Sequence, residues 1–174
     1  MTTRSQERLS ARLANPPILC NKAVLHGSKY EAVALRKFEE VCDVKVHPAG
    51  LFVRPDYPYL GASPDGVVDD SAIVEVKCPY NGRNDTIEPN AKFPFLSRNG
   101  SGDLILKPSH SYYTQVQGQL FITGRQLCHF VVYTFQSLLV IDVPIDVDFC
   151  NGSLIPILNG FYVSHYRKHL ASLL

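Results

Sequence analysis

The sequence predicts an α/β fold in which a central mixed β-sheet is flanked by helices. The predicted elements follow the order helix, three strands, helix, two strands, helix, which is typical of a sheet covered by helices. A length of 174 residues suits one such domain. The 45% hydrophobic content, 19% charged content and net charge of +1 indicate a globular chain and exclude a disordered or generally basic one.

The first half of the chain begins with a polar stretch and then becomes periodic. We assign residues 1–20 to an N-terminal extension with at most partial order, and residues 21–174 to a single domain. A helix is predicted over residues 23–41, where apolar residues recur at three- and four-residue steps. Strands are predicted over residues 45–53 and 71–78, the second from its β-branched run, and residues 66–70 run out from the turn before them and fold back into the second strand.

The second half opens with an irregular segment that carries an inserted β-hairpin near residues 93–107. A second helix should end at Gly124, with Tyr112, Gln115 and Gln119 sharing one of its sides. The remaining predicted elements are this helix over residues 109–123, two strands over 127–135 and 138–147, and a closing helix over 153–173 with Leu154, Ile157, Leu158, Phe161 and Leu170 as its buried stripe.

Cysteine usage and the absence of targeting signals indicate the compartment. The five cysteines show no Cys-x-x-Cys pair and no Cys/His spacing of a structural zinc site. No apolar run approaches the ~20 residues needed to span a bilayer, and the N-terminus lacks a signal-peptide core. We therefore expect a soluble, reduced, intracellular protein with no membrane partner, located in the nucleus if it is eukaryotic or viral and in the cytoplasm if it comes from a bacterium or phage.

A pair of acids beside a lysine is the strongest chemical signal in the chain. Because side chains alternate along a strand, Glu75 and Lys77 share one face while Val74 and Val76 point into a core. Asp65 lies in a Pro-Asp-Gly turn, and a hairpin of this length brings it close to Glu75, across roughly 5 Å. Two carboxylates that close repel each other unless a cation lies between them. Such oxygen ligands suit Mg²⁺ or Mn²⁺.

Each part of this signal also has an ordinary structural explanation. A Pro-Asp-Gly sequence alone is a common turn, and Glu-x-Lys alone is more often an exposed ion pair. Glu31, near the start of the first helix, would interact favourably with the helix N-terminus whether or not it has a further role. It is the combination, on opposite arms of one hairpin, that predicts a metal site with a neighbouring cation.

Four blocks of sequence resemble the PD-(D/E)XK nucleases, and among them the branch of lambda exonuclease and the YqaJ-type viral recombinases. They are His-Gly-Ser-Lys-Tyr-Glu at 26–31, Ser-Pro-Asp-Gly at 63–66, Glu-Val-Lys-Cys-Pro-Tyr at 75–80 and Tyr-Tyr-Thr-Gln-Val-Gln at 112–117. The blocks occur in the family's order and cover about residues 25–135. The resemblance implies a restriction-endonuclease-like core.

The resemblance also implies a role for each matching residue of the metal site. Asp65 and Glu75 would be the metal-binding carboxylates, with the Val76 carbonyl as a backbone ligand. Glu31 would hold a metal directly or through water, and Lys77 would orient or activate the attacking water. One or two Mg²⁺ ions, replaceable by Mn²⁺, would be the cofactor.

Three further positions carry implied roles around this metal site. Gln115 would complete the catalytic site from the second helix, while Ser63 and Arg83 stand where the family binds a 5′-phosphate. Relatives add pocket residues from an N-terminal helix, and residues 8–12 match that motif only in part.

The function that these residues imply is metal-dependent hydrolysis of DNA. The expectation is an exonuclease that resects one strand of linear, 5′-phosphorylated duplex for recombination or repair. The alternatives are a structure- or sequence-tolerant endonuclease of the same fold, and a module that binds DNA or a protein without cutting. A single-strand annealing protein as partner and a homotrimer are further implications of the resemblance.

Overall fold

The computed structural model describes the backbone of residues 3–173 and the side chains of residues 5–173. The chain folds into two compact units: Cys20–Asp146 forms one, and the segments up to Leu19 and from Val147 onward form the other. The helices are α1 (Thr3–Ala14), α2 (Lys22–Cys42), α3 (Ser111–Thr123), α4 (Val147–Phe149), α5 (Ile155–Phe161) and α6 (Arg167–Ala171). The strands are β1 (Phe52–Arg54), β2 (Tyr57–Ala62), β3 (Gly66–Val68), β4 (Ala72–Lys77), β5 (Leu96–Arg98), β6 (Leu104–Leu106), β7 (Leu127–Tyr133) and β8 (Leu138–Pro144).

A four-stranded sheet in the order β3-β4-β7-β8 forms the centre of the larger unit. β4 pairs with β7 in parallel, whereas β3 with β4 and β7 with β8 are antiparallel pairs. The predicted mixed sheet is therefore confirmed. The hairpin expected near residues 93–107 is also present, as the antiparallel pair of β5 and β6.

Strand β4 divides its side chains between two cores, one on each face of the sheet. Val74 and Val76 pack in a cluster with Ala34 and Phe38 of α2. Ile73 points the other way, into a cluster that includes buried residues of α3. The alternation expected for this strand is confirmed, and helices cover both faces of the sheet.

The two long helices begin and end at residues whose chemistry explains the boundary. The Asn21 side chain accepts hydrogen bonds from the first backbone N–H groups of α2, and His110 accepts one at the start of α3. Gly124 ends α3 with a φ of 71°, a left-handed conformation that glycine adopts without steric cost.

The strand predicted over residues 45–53 is the clearest error among the elements. Only β1 remains of it, together with an isolated bridge between His47 and Val67. Pro48 has no N–H to donate to a ladder, and Gly50 weakens a strand. The segment therefore crosses the edge of β3 once and does not pair along its length.

The smaller unit contains α1 and the closing helical segment, which pack against each other. The closing segment begins at Val147, before the predicted residue 153, and is interrupted by π-helical turns at Cys150–Leu154 and Tyr162–Tyr166. Ile157 and Leu170, both expected to be buried, are 69% and 37% exposed, and each π turn inserts a residue that rotates the apolar stripe.

Residues 3–14 are helical, although the polar sequence led us to expect at most partial order there. The predicted domain boundary near residue 20 stays a prediction, because a compact unit is not by itself an independently folding one. None of the helices in the described part of the chain is long and apolar enough to cross a membrane.

Candidate active site

Asp65 is fixed between β2 and β3 by hydrogen bonds to the neighbouring strand. Its backbone N–H donates to the Val74 carbonyl at 3.0 Å, and its Oδ2 accepts from the Val76 N–H at 2.7 Å. Gly66 pairs with Val74 directly after it. The turn therefore holds the Asp65 carboxylate against β4, as the sequence predicts.

Glu75 points from β4 toward α3 and is 3% exposed. Its Oε1 accepts hydrogen bonds from Gln115 Nε2 at 2.6 Å and from the ammonium of Lys77. Its Oε2 accepts from Gln119 Nε2 at 2.8 Å. Both oxygens of this buried carboxylate are thus held by amides from one side of α3, and one also accepts from the lysine.

Lys77 is held in place by three partners around its ammonium group. Besides Glu75, its Nζ donates to Gln115 Oε1 at 3.2 Å and lies 4.6 Å from the centre of the Tyr112 ring. Gln115 therefore bridges the two residues, because its Nε2 donates to Glu75 and its Oε1 accepts from Lys77. The arrangement places a single positive charge beside the two acids.

Burial, together with nearby negative charge, raises the pKa of Asp65 to about 7. Burial is the largest cause and the charge of Glu75 the second; Glu31 adds to the rise, whereas the Val76 N–H and Lys77 lower it. The same acids act on Cys78, whose pKa rises to about 12 through burial first and then through Glu31 and Asp65. The charges of Glu75 and Glu31 therefore both act on the Asp65 carboxyl group.

Glu31 reaches this group from α2 but remains exposed and makes no hydrogen bond to the other acids among the described residues. Within residues 3–173, no three His, Cys, Asp or Glu side chains are arranged closely enough to hold a metal ion. The donors that are close together, Asp65 and Glu75, are oxygen ligands of the kind that Mg²⁺ prefers. Their mutual repulsion is what a bound cation would relieve, so the donor set fits such an ion.

A cleft of about 600 Å³ opens beside the lysine. Val76 and Lys77 form one wall, and residues 78–81 continue it. Gly27 of α2 and Tyr112 of α3 line the same space. The cleft brings the end of β4, two helices and the loop after β4 to one opening, where a substrate can reach the lysine.

The match to a known family covers most of the chain. Residues 4–126 match YqaJ-like viral recombinase domains. The chain belongs to this family. The resemblance found in the four sequence blocks is thus confirmed, and the four-residue cluster of Asp65, Glu75, Lys77 and Gln115 lies within the matched region.

Viral proteins are among the relatives of this YqaJ-like chain. It is 36% identical over 118 residues to an uncharacterized protein of Acanthamoeba polyphaga mimivirus, covering 66% of this chain and 21% of that protein. It is 27% identical over 184 residues to the alkaline nuclease of Autographa californica nuclear polyhedrosis virus, covering 88% of this chain and 43% of that nuclease. The chain therefore spans less than half the length of these two relatives.

Solved structures show the same YqaJ-like fold. An alkaline exonuclease from Laribacter hongkongensis superposes with a TM-score of 0.73 at 23% identity, covering 98% of this chain and 85% of that one. A phage-related exonuclease from Haemophilus somnus superposes with a TM-score of 0.63 at 12% identity, covering 98% of this chain and 81% of that one. The predicted fold, a mixed sheet flanked by helices, is confirmed.

The predicted 5′-phosphate residues are not joined by a described contact. Ser63 is exposed two residues before Asp65. Arg83 donates to the Tyr80 carbonyl at 2.6 Å and stacks on the Tyr80 ring at 4.2 Å. No hydrogen bond between Ser63 and Arg83 exists among the described residues, so their shared role stays a prediction.

Gln119 is a residue of the site to which the sequence motifs assign no role. It is 6% exposed, and its Oε1 has no hydrogen-bond partner within the described part of the protein. The spacing of Tyr112, Gln115 and Gln119 on one side of α3 is a visible signal. The spacing alone does not predict that this side of α3 faces Glu75.

Proposed function

We propose that this chain is a metal-dependent deoxyribonuclease, and specifically an exonuclease that resects one strand of linear duplex DNA from a 5′ end. The observation that carries the proposal is the cluster of Asp65, Glu75, Lys77 and Gln115 beside an open cleft. Membership of the YqaJ-like family and the names of the relatives, alkaline nuclease and alkaline exonuclease, support it.

Asp65, Glu75 and the Val76 carbonyl would hold Mg²⁺ or Mn²⁺, with Glu31 as an additional ligand directly or through water. One or two such ions, when bound, supply charge neutralisation at the phosphate and activation of the attacking water. The backbone of β4 keeps the two carboxylates in place for this role. The Val76 N–H holds Oδ2 of Asp65 at 2.7 Å.

Lys77 would contribute a positive charge to the phosphate that is being attacked. A lysine ammonium is a compact point charge, and this one already has a fixed position between Glu75, Gln115 and the Tyr112 ring. Pre-positioned charge stabilises a transition state without reorganisation at the moment of reaction. Gln115 holds the side chains of Lys77 and Glu75 in fixed positions relative to each other.

The remaining parts of the proposal concern the DNA end and partners. Ser63 and Arg83 would bind the 5′-phosphate of the strand that is digested. A single-strand annealing protein would take up the strand that remains, and the nuclease would act as a homotrimer. These proposals follow from the family and are separate from the metal chemistry.

The decisive experiment compares Asp65→Asn and Lys77→Ala with Asp70→Asn, an exposed acid on the same hairpin. The first two should lower Mg²⁺-dependent nucleotide release from linear duplex by at least about 100-fold, the scale for losing a group that stabilises transition-state charge. The Asp70 variant should keep wild-type activity. Undiminished release by either site variant, with the fold intact by circular dichroism, would overturn the assignment.

Two substrates test the exonuclease assignment and its polarity. Covalently closed circular duplex should remain intact, because a strict exonuclease requires an end; cleavage of circles would instead show an endonuclease. Linear duplex with a 5′-phosphate should be digested faster than duplex with a 5′-hydroxyl, and Arg83→Ala should remove the difference. Equal rates on both ends would exclude the phosphate pocket.

A further inference from the structure

Five aromatic rings form a connected group that the catalytic chemistry does not use. We call it the aromatic patch: His26 and Tyr30 from α2, Tyr80 after β4, Tyr133 at the end of β7 and Phe135 in the turn that follows. The His26 ring lies 4.6 Å from Tyr30, 5.6 Å from Tyr80 and 5.8 Å from Phe135 between ring centres. Tyr30 lies 5.0 Å from Phe135.

Three cationic side chains lie over rings of the aromatic patch. Lys29 Nζ is 5.4 Å from the Tyr30 ring centre, Lys37 Nζ is 5.3 Å from Tyr133, and the Arg83 guanidinium is 4.2 Å from Tyr80. In the described part of the chain none of the three is in an ion pair, whereas Arg54, Lys77, Lys92 and Arg98 are.

The effect of this charge is visible at the centre of the patch. The pKa of His26 is lowered, first by burial and then by the charges of Arg83 and Lys29. The patch therefore combines ring faces with positive charge that has no acidic partner among the described residues. This combination is the one that proteins use to hold a single nucleic-acid strand.

Packing of α2 against the sheet accounts for part of the patch but not for Phe135. Tyr133 is 6% exposed and belongs to the core between α2 and the sheet. Phe135 is 43% exposed, although its backbone N–H is fixed to the Arg83 carbonyl at 2.8 Å. A large apolar ring is thus held at the surface by a defined backbone contact, next to an arginine.

The patch continues from the catalytic cleft. Tyr80 lines that cleft together with Val76 and Lys77, and Gly27, which is next to His26, lines it from α2. A strand whose phosphate lies beside Lys77 would therefore meet Tyr80 on the wall of the cleft, and the His26 ring connects Tyr80 to Phe135.

We infer that the aromatic patch binds unpaired nucleotides of the DNA substrate, with a base stacked on Phe135 and the adjoining phosphates neutralised by Lys29, Lys37 and Arg83. Bases inside a duplex are stacked on both faces, so an internal base can stack on Phe135 only when its segment is melted or displaced. The inference rests on the proposed function and names the form of DNA that this side of the cleft takes.

A single substitution supplies both a probe and a test, because the chain contains no tryptophan. Phe135→Trp should bind a short single-stranded oligothymidylate in EDTA with an affinity within about threefold of wild type, and the emission of the introduced tryptophan should be quenched by the bases. Phe135→Leu keeps an apolar side chain but removes the ring face, and should weaken binding about tenfold, as expected for the loss of one stacked base. EDTA prevents metal-dependent cleavage, so binding is measured independently of nuclease activity.

A charge reversal tests the cationic part of the patch with a matched control. Lys37→Glu should weaken binding of the oligothymidylate and reduce its dependence on salt, since a phosphate contact is lost. Arg36→Glu makes the same change of charge one residue away on α2, outside the patch, and should have a smaller effect. Equal effects would show a general charge contribution and would count against the patch.

Three outcomes would overturn the inference: unchanged binding by Phe135→Leu, an unquenched tryptophan at saturating oligothymidylate, or equal dependence on Phe135 for duplex of matched length. Each is read only in variants whose melting temperature shows an intact fold. A protein that fails to cut DNA but shows quenching and weaker binding by Phe135→Leu would refute the proposed activity and leave the patch standing.

Discussion

At the scale of single residues, the raised pKa of Asp65 predicts how stability depends on pH. The pKa is 3.8 for an ordinary aspartate and about 7 in the folded protein. Below pH 3.8 both states are protonated. As the pH rises from about 4 to 7, the unfolded chain loses this proton before the folded one, so the folded state loses stability, and the loss is complete above pH 7.

Asp65→Asn removes this penalty, because asparagine is neutral and its side-chain oxygen can still accept from the Val76 N–H. In EDTA at pH 8 the variant should be more stable than the wild type by about 1–2 kcal/mol, a figure reduced from the full shift because the group is partly screened by water. The gain should shrink as the pH falls through 7 and vanish near pH 4. Urea unfolding across this range measures it.

Mg²⁺ provides the control for the Asp65 variant. Added at pH 8, it should raise the melting temperature of the wild type, since an ion that binds only the folded state stabilises it, and should leave Asp65→Asn unaffected. A variant that is less stable than the wild type at every pH would show that Asp65 is held by favourable interactions and not under repulsion.

Gln119 should act as a positioning residue for Glu75. Gln119→Leu removes the donor to Oε2, and loss of such a supporting contact typically costs about 10- to 100-fold in metal affinity or activity. We expect weaker Mn²⁺ binding by calorimetry and a lower kcat, with the KM for DNA unchanged, because the residue does not line the cleft.

Gln117→Leu is the matched control for Gln119, since it also removes a buried amide from α3. Gln117 donates to the Pro144 carbonyl at 3.0 Å and accepts from the Asp146 N–H at 2.7 Å. Its loss should lower the melting temperature without changing Mn²⁺ affinity. Equal loss of metal binding in both variants would mean that Gln119 only supports the fold.

The residues of the site differ in how far the sequence could reveal them. Asp65, Glu75 and Lys77 lie on one hairpin, so turn chemistry and strand alternation are enough to bring them together. Gln115 came from the family resemblance, and Gln119 could not be assigned because its role depends on which side of α3 packs against β4. That choice is made by tertiary packing between residues roughly 40 positions apart.

At the scale of elements, β3 lies so close to the segment before β1 that a larger side chain at Gly66 should disturb both. A Cβ placed on Gly66 would lie 2.2 Å from Cγ1 of Val46. Gly66→Ala should therefore push β3 outward and move Asp65, destabilising the protein by about 1–3 kcal/mol, the usual cost of overpacking, and lowering activity. Thermal unfolding and the rate of nucleotide release measure the two effects.

A second substitution identifies the cause of the Gly66 effect. Val46→Ala removes the clashing methyl group, and the Val46 Cβ itself lies 3.8 Å away, at ordinary contact distance. The double variant should recover most of the stability and activity lost in Gly66→Ala. If the double variant is as impaired as the single one, the glycine is required for its backbone and not for space.

Elements with a strong local signal were predicted, and those decided by distant partners were not. Helix α3 ends at Gly124 as expected, because a single residue with positive φ ends it. Residues 45–53 carry a strand-like composition, but Pro48 interrupts the ladder and only Phe52–Arg54 pairs. The π turns of the closing segment have no sequence signature and shift its buried face.

At the scale of the whole molecule, charge is local and not global. The net charge of +1 cannot by itself attract a polyanion, so the proposed binding of DNA would depend on cations concentrated near the cleft, such as Lys77 and the three around the aromatic patch. Because the charge is local, composition alone predicted neither DNA binding nor its absence. The order of the four motifs, by contrast, predicted DNA binding.

The division of the chain into two units leads to the last prediction. The central sheet, both hydrophobic clusters and every proposed site residue belong to the unit Cys20–Asp146. A fragment of residues 20–146 should therefore unfold cooperatively and bind Mn²⁺ with an affinity within about threefold of the complete chain, as expected for a unit with its own core. Thermal unfolding and calorimetry, with the complete chain measured in parallel, check both expectations.

A fragment without a cooperative transition would show that the remaining segments are needed for folding, and would favour the single domain over residues 21–174 that the sequence predicts.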